Sequence, residues 1–134
     1  MKAADTSLVV AAFASWHEHH ESARRVLDSG VRLIEHCALE TYSVLTRLPP
    51  PHRSPGLVVR EFIRTRFPAP FLRLSADAYK DFVLALPEHD VTGGAAYDAL
   101  VAATAAASRA ELVTCDRRAA GVYETYGVRT KFLA

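Results

Sequence analysis

The spacing of apolar positions changes period several times along the chain, and the changes mark out alternating strands and helices. Lys2–Asp5 reads as a very short strand, and Thr6–Ala14 continues as an apolar helix. His17–Ser29 carries Ala23, Val26 and Leu27 on one face and charge elsewhere, which predicts an amphipathic helix closed by Gly30. Val31–Cys37 predicts a second strand, and Ala38–Leu48 returns to helical spacing through Tyr42, Leu45 and Leu48. Three consecutive prolines, Pro49-Pro50-Pro51, then end the helix and open a loop that runs to Pro55. Pro55–Phe67 is helical, Phe71–Leu74 a short strand, and Ser75–Leu86 a helix with Ser75 as its N-cap. Ala95–Ser108 is a helix of almost wholly apolar residues. Glu111–Cys115 is a strand, Arg117–Tyr126 a helix ended by Gly127, and Val128–Leu133 a last strand. Strands alternating with helices predict an α/β fold with a parallel sheet covered on both faces.

Composition narrows this picture. The 134 residues are half apolar, which suits one domain over residues 1–134 with a single core and excludes a disordered chain. No apolar run approaches the roughly 20 residues of a membrane span. The opening Met1-Lys2-Ala3-Ala4-Asp5 places an acid where a secretory signal needs a charged head and an apolar stretch. Two cysteines, Cys37 and Cys115, are too few for a disulfide framework and fit a reducing compartment, so the expectation is a cytoplasmic protein away from membranes. Net charge is +1, yet between Arg47 and Arg73 the arginines at 47, 53, 60, 64, 66 and 73 face one acid, Glu61. That run is either a solvated helical face or a stripe for nucleic-acid phosphates.

Four of the 15 acids map to the carboxyl edge of the predicted sheet, where open parallel sheets bind ligands. Asp5 ends the first strand and Asp116 the strand Glu111–Cys115. Glu40 falls in the first turn of the helix after the second strand. Asp98 lies near the start of the helix that feeds Glu111–Cys115. Taken singly, capping accounts for Asp5 and Asp116, and a helix-dipole interaction for Glu40. Asp98 resists such an account: its helix is otherwise apolar, no basic residue lies within a turn, and a buried carboxylate needs a partner. Taken together, carboxylates about 5 Å apart repel by about 3 kcal/mol per pair at an effective dielectric near 20. They protonate, find basic partners or bind a cation, and an all-oxygen site suits Mg2+ or Mn2+. Such ions serve chemistry on phosphate esters.

The chain resembles the PIN-domain ribonucleases, and within them the VapC-type toxins of bacterial toxin–antitoxin pairs. The resemblance rests on four ordered pieces: Ala3-Ala4-Asp5-Thr6-Ser7, Ala38-Leu39-Glu40-Thr41-Tyr42-Ser43-Val44-Leu45, the stretch Gly93-Gly94-Ala95-Ala96-Tyr97-Asp98 with its apolar continuation to Ala103, and Leu112-Val113-Thr114-Cys115-Asp116-Arg117-Arg118-Ala119. It implies a three-layer α/β/α sandwich and cleavage of single-stranded RNA dependent on Mg2+ or Mn2+. It also implies neutralisation by a small cognate antitoxin of the VapB type, and a homodimer. Asp5, Glu40, Asp98 and Asp116 match the family's acidic quartet. Asp5, Asp98 and Asp116 would be metal ligands, directly or through water, and Glu40 would hold a metal-bound water or a second ion. Thr114 matches the hydroxyl before the last acid, and Thr6 or Ser7 would help hold Asp5. Arg117 and Arg118 would contact RNA phosphates or stand as solvated first-turn residues.

The remaining signals in the chain have simpler readings. His17-Glu18-His19-His20-Glu21 lacks the spacing of a zinc-protease helix and reads as a solvated face. Cys37 and Cys115 read as small core residues at strand ends, and Trp16 as a partly buried anchor. A phosphoacceptor receiver domain, also α/β, needs adjacent acids after the first strand, where Thr6 follows Asp5. A non-catalytic PIN-like binding module is opposed by the intact quartet.

Overall fold

The computed structural model describes residues 1–133. Its centre is a parallel sheet of four short strands, β1 (Lys2–Ala4), β2 (Arg32–Leu33), β3 (Glu111–Thr114) and β4 (Thr130–Phe132), in the order β2-β1-β3-β4. Ala3 pairs with Arg32 on one side of β1 and with Leu112 on the other, and Val113 pairs with Lys131. The inner strands are buried on both faces, so Ala3, Ala4, Leu112 and Val113 are all apolar and inaccessible to solvent.

Among the described residues, seven α-helices surround the sheet: α1 (Thr6–Phe13), α2 (His20–Asp28), α3 (Glu35–Arg47), α4 (Gly56–Arg66), α5 (Ala76–Ala85), α6 (Ala95–Ala107) and α7 (Ala120–Thr125). The chain leaves β1 towards β2 through α1 and α2, then returns past β1 to β3 and on to β4 through α7. Right-handed crossovers that reverse direction put α1–α2 and α7 on opposite faces, an α/β/α sandwich. The reversal lies between β1 and β3, which makes their carboxyl ends the topological switch point.

Most predicted elements are present, with differences at their ends. The strand expected over Val31–Cys37 is only Arg32–Leu33, and Ile34 adds a single bridge to Leu72 in place of the strand expected over Phe71–Leu74. After Ile34 the buried positions are Cys37, Ala38, Thr41 and Leu45, a helical spacing, and α3 therefore starts at Glu35. Cys37 is thus a helical residue, and Glu40 sits in the second turn of α3 rather than the first. The helix expected over His17–Ser29 begins only at His20, because His17 Nδ1 accepts from the His19 amide at 3.0 Å and holds the segment in a turn. Gly30 (φ 91°) and Gly127 (φ 67°) turn left-handed just past α2 and α7. Ser75 caps α5 by accepting from the Ala78 amide at 3.1 Å. The arginine run is dispersed: Arg66 pairs with Asp28, Arg73 with Glu35, and Arg60 and Arg64 with Glu61. Trp16 is half exposed, in the turn between α1 and α2.

Leu112, fully buried in β3, carries the sheet's packing. Leu112→Ala is expected to lower the unfolding free energy by about 2–5 kcal/mol in urea denaturation. Leu84→Ala, at a side chain 67% exposed on α5, is expected to change it by less than about 0.5 kcal/mol.

Candidate active site

Asp5 follows β1 and caps α1, with only 4% of its surface exposed. Its Oδ1 accepts from the Leu8 amide at 3.1 Å and from Ser7 Oγ at 2.7 Å. Its Oδ2 accepts from the Thr114 hydroxyl and from the Tyr123 phenol at 3.0 Å. Each hydroxyl has one proton to give, and each gives it to the carboxylate. Ser7 Oγ is then free to accept from the Cys115 amide at 2.9 Å, and Thr114 Oγ1 from the Asp116 amide at 2.9 Å. One network therefore locks the end of β1 to the end of β3. Burial still outweighs these bonds and holds the Asp5 carboxyl above its ordinary range. The Tyr123 phenol is raised as well, by burial first and then by the nearby Asp5 charge.

Asp116 opens a short 3-10 turn (Arg117–Ala119) after β3, and its Oδ1 accepts from the Arg118 amide at 3.0 Å. The Arg118 guanidinium bridges two acids, reaching Asp116 Oδ2 at 3.0 Å and Asp98 Oδ2 at 3.2 Å. Asp98, in the first turn of α6, thus finds its partner from the far side of the crevice. Glu40 lines a cavity of about 450 Å³ together with Asp116, Thr6, Ser7 and Cys115. His36 lies 3.9 Å from Glu40, one helical turn earlier. The His36 ring stacks on Tyr97 at 5.2 Å, which ties α3 to α6 one residue from Asp98.

The four acids are linked pairwise around the switch point: Asp5 reaches Asp116 through Thr114, Asp116 reaches Asp98 through Arg118, and Glu40 shares a cavity with Asp116. Capping and clustering coexist in Asp116, which spends Oδ1 on its cap and turns Oδ2 to Arg118, whereas Asp5 is buried with both oxygens engaged and stands behind the crevice. Among the supporting residues, Ser7 and Thr114 hold Asp5, whereas the Thr6 hydroxyl is buried with no hydrogen-bond partner among the described residues. Arg117 turns away and lies over the Phe132 ring at 5.0 Å. Tyr123 and His36 were not anticipated. A tyrosine inside the last helix needs a partner for its hydroxyl once buried, and a histidine four residues before Glu40 shares its helical face; those were the available signals. Burial pushes the Cys115 thiol up to about 11 and raises that of Cys37 too, so neither is a nucleophile at neutral pH.

Fold and site together define an α/β domain whose carboxylates gather at the switch point of a parallel sheet. The PIN domain model matches residues 3–124. The chain belongs to the PIN-domain family, and within it to the VapC-type toxins. It is 51% identical over 133 residues to Ribonuclease VapC40 of Mycobacterium tuberculosis, covering 99% of both chains. It is 43% identical over 118 residues to Ribonuclease VapC27 of Mycobacterium tuberculosis strain H37Rv, covering 88% of this chain and 79% of that one. The crystal structure of FitAcB from Neisseria gonorrhoeae shares the fold, with a TM-score of 0.69 at 20% identity over 99% of this chain and 97% of that one.

The PIN-domain ribonucleases are metal dependent as a family, and VapC toxins pair with antitoxins. The donor set here fits a hard divalent cation: it is all carboxylate, and the positive charge between Asp98 and Asp116 is a guanidinium from a side chain 71% exposed. Among the described residues, no three acidic, histidine or cysteine side chains already converge as a metal cage.

The raised carboxyl of Asp5 carries a sign. Its folded-state value lies above the unfolded 3.8, so the folded state holds its proton over a wider range and the ionised form costs stability above that window. In EDTA the unmutated chain is therefore expected to gain stability from this group as pH falls through the folded-state value, levelling off below 3.8, a pH-dependent gain that Asp5→Asn, which takes up no proton there, lacks. Thermal melts of both across that range check it, and a loss of stability in the unmutated chain relative to Asp5→Asn over the same fall in pH would show that the carboxylate's hydrogen bonds outweigh its burial.

Proposed function

We infer that the chain is a metal-dependent endoribonuclease, the toxin of a type II toxin–antitoxin pair, formed as one PIN domain over residues 1–134. The observation that carries this reading is the linkage of Asp5, Glu40, Asp98 and Asp116 at one switch point although they are spread from one end of the chain to the other. Mg2+, with Mn2+ as an alternative, is the cofactor that Asp98 and Asp116 would hold directly; Asp5, expected as a ligand, is buried with both oxygens engaged and would act from behind them or through water. When bound it supplies charge neutralisation at the phosphate and a lowered pKa for the attacking water.

The chain's own residues supply the rest. Ser7, Thr114 and Tyr123 fix Asp5, which in turn fixes the distance between β1 and β3. Glu40, half exposed on the cavity wall, would hold the water that attacks the phosphodiester in line; the bond to the 3′ oxygen breaks, and that oxygen takes a proton from solvent, which leaves a 5′-phosphate and a 3′-hydroxyl. Arg118, exposed and beside both acids, contacts an RNA phosphate, while Arg117 is committed to Phe132.

A VapB-type antitoxin covers the crevice in this reading, with an arginine as a natural partner for its acids. Leu39 and Tyr42 of α3 and Leu57 of α4, all exposed around an apolar groove, support a homodimer. No helix among the described residues is long and apolar enough to cross a membrane, and both cysteines are free; we place the protein in the cytoplasm.

Asp98→Asn and Asp116→Asn are each expected to reduce metal-dependent RNA cleavage at least about 100-fold while the circular dichroism spectrum is unchanged. Sequencing of 5′-monophosphate ends after expression reads the activity in cells. Undiminished cleavage by both variants would reject the assigned site.

A further inference from the structure

The turn between α1 and α2, whose sequence predicts a solvated histidine face, forms a wall of the acidic crevice. His17 and His19 line the same 450 Å³ cavity as Glu40 and Asp116. Their rings lie 5.6 Å apart. The series continues outward: Trp16 is 6.2 Å from His17, and His52, from the proline-rich loop, lies 4.3 Å from Trp16 on its other side. Four aromatic rings, His19, His17, Trp16 and His52, thus run from the acids to the surface. Trp16 keeps 51% of its surface exposed.

The turn is held in place by its own bonds. The His17 amide donates to Ala14 O at 3.0 Å, the His19 amide to His17 Nδ1 at 3.0 Å, and the His20 amide to His17 O at 3.0 Å. The His20 ring, bonded through Nδ1 to Ala11 O at 2.9 Å, pins the turn to α1. Core packing does not explain an exposed tryptophan set at a tilt of 38° against a loop histidine. Glu18, which joins Glu40 and Asp116 as an acid of the cavity wall, lies 3.6 Å from His19.

We propose that this aromatic tract is the base-binding subsite for the single-stranded RNA leading into the acidic crevice, with an unstacked base lying on the open face of Trp16. The inference rests on the ribonuclease reading and deepens it. Single-stranded RNA is the ligand that such a surface fits, because splayed bases stack on aromatic rings whatever their sequence, and the tract is continuous with the site where the phosphate reacts. A base-paired helix keeps its bases stacked on one another and has none to offer. Preformed rings also spare the ordering cost of binding.

Trp16 is the only tryptophan in the chain, so its intrinsic fluorescence reports on this subsite alone. The unmutated full chain is titrated in Mg2+ with a short phosphorothioate single-stranded RNA pool, which resists hydrolysis, and with the same pool annealed to its complement. Quenching by the single strand and little by the duplex is expected. Trp16→Ala is expected to weaken binding of the single strand about 5- to 100-fold, measured by anisotropy of labelled RNA, and Trp16→Phe to recover part of it. The loss should appear in KM for RNA cleavage more than in kcat.

If the unmutated chain cleaves RNA with metal, but its fluorescence ignores the single strand and Trp16→Ala binds and cleaves as before, the subsite is wrong and the ribonuclease reading stands. If the unmutated chain does not cleave RNA with metal, the ribonuclease reading falls and takes the subsite with it. Equal quenching by single strand and duplex, or a response only to a purified antitoxin, would also overturn the subsite, the latter in favour of a protein contact.

Discussion

Asp5 is a charge-bearing group placed where the interior should be apolar, and the active end of the molecule is arranged around that fact. Its carboxylate takes four hydrogen bonds from α1, β3 and α7, all of them from groups that would otherwise need partners of their own. A buried carboxylate without such bonds costs several kcal/mol, and one with them still sits above its ordinary ionisation range here. The result is a rigid joint between the two central strands at the place where the sheet changes winding direction. Remove that joint and Asp116, which depends on Thr114 for its backbone contact, loses its fixed position.

Around this joint the charges are balanced across the crevice. Asp98 and Asp116 come from different elements and share one arginine, a cation on an exposed and movable side chain. An exposed guanidinium in water holds two carboxylates only modestly. A divalent ion concentrates more charge and accepts more oxygen ligands. The site therefore combines one acid that cannot move, two held by a partner that can, and a fourth, Glu40, open to the cavity.

Much of this was legible in the residues. Asp5 and Asp116 stand at strand-to-helix junctions, where period changes are plain, and Asp98 is conspicuous because its helix is otherwise apolar. What stayed hidden depended on tertiary contacts. Arg118 as the partner of Asp98 requires knowing that the turn after β3 crosses to α6. The short β2 was obscured because Leu33, Ile34 and Cys37 suit a strand or a helix equally, and the displacement of α3 hid His36 beside Glu40. The His17–His19 turn was misread because a side chain bonding back to the backbone leaves no trace in apolar periodicity. Tyr123 is the same lesson in the core: its ring follows the helical pattern, while its hydroxyl is spoken for by an acid far away in sequence.

The central claim is that acids from distant stretches of chain converge to hold one hard cation at the switch point. Crystals of the protein soaked in Mn2+ test it most directly through anomalous scattering. The account predicts a peak at coordination distance, about 2.1 Å, from carboxylate oxygens of Asp98 and Asp116, with the Arg118 guanidinium displaced from between them. A map with no peak in that crevice at saturating Mn2+, and with Arg118 still bridging the two acids, would contradict it.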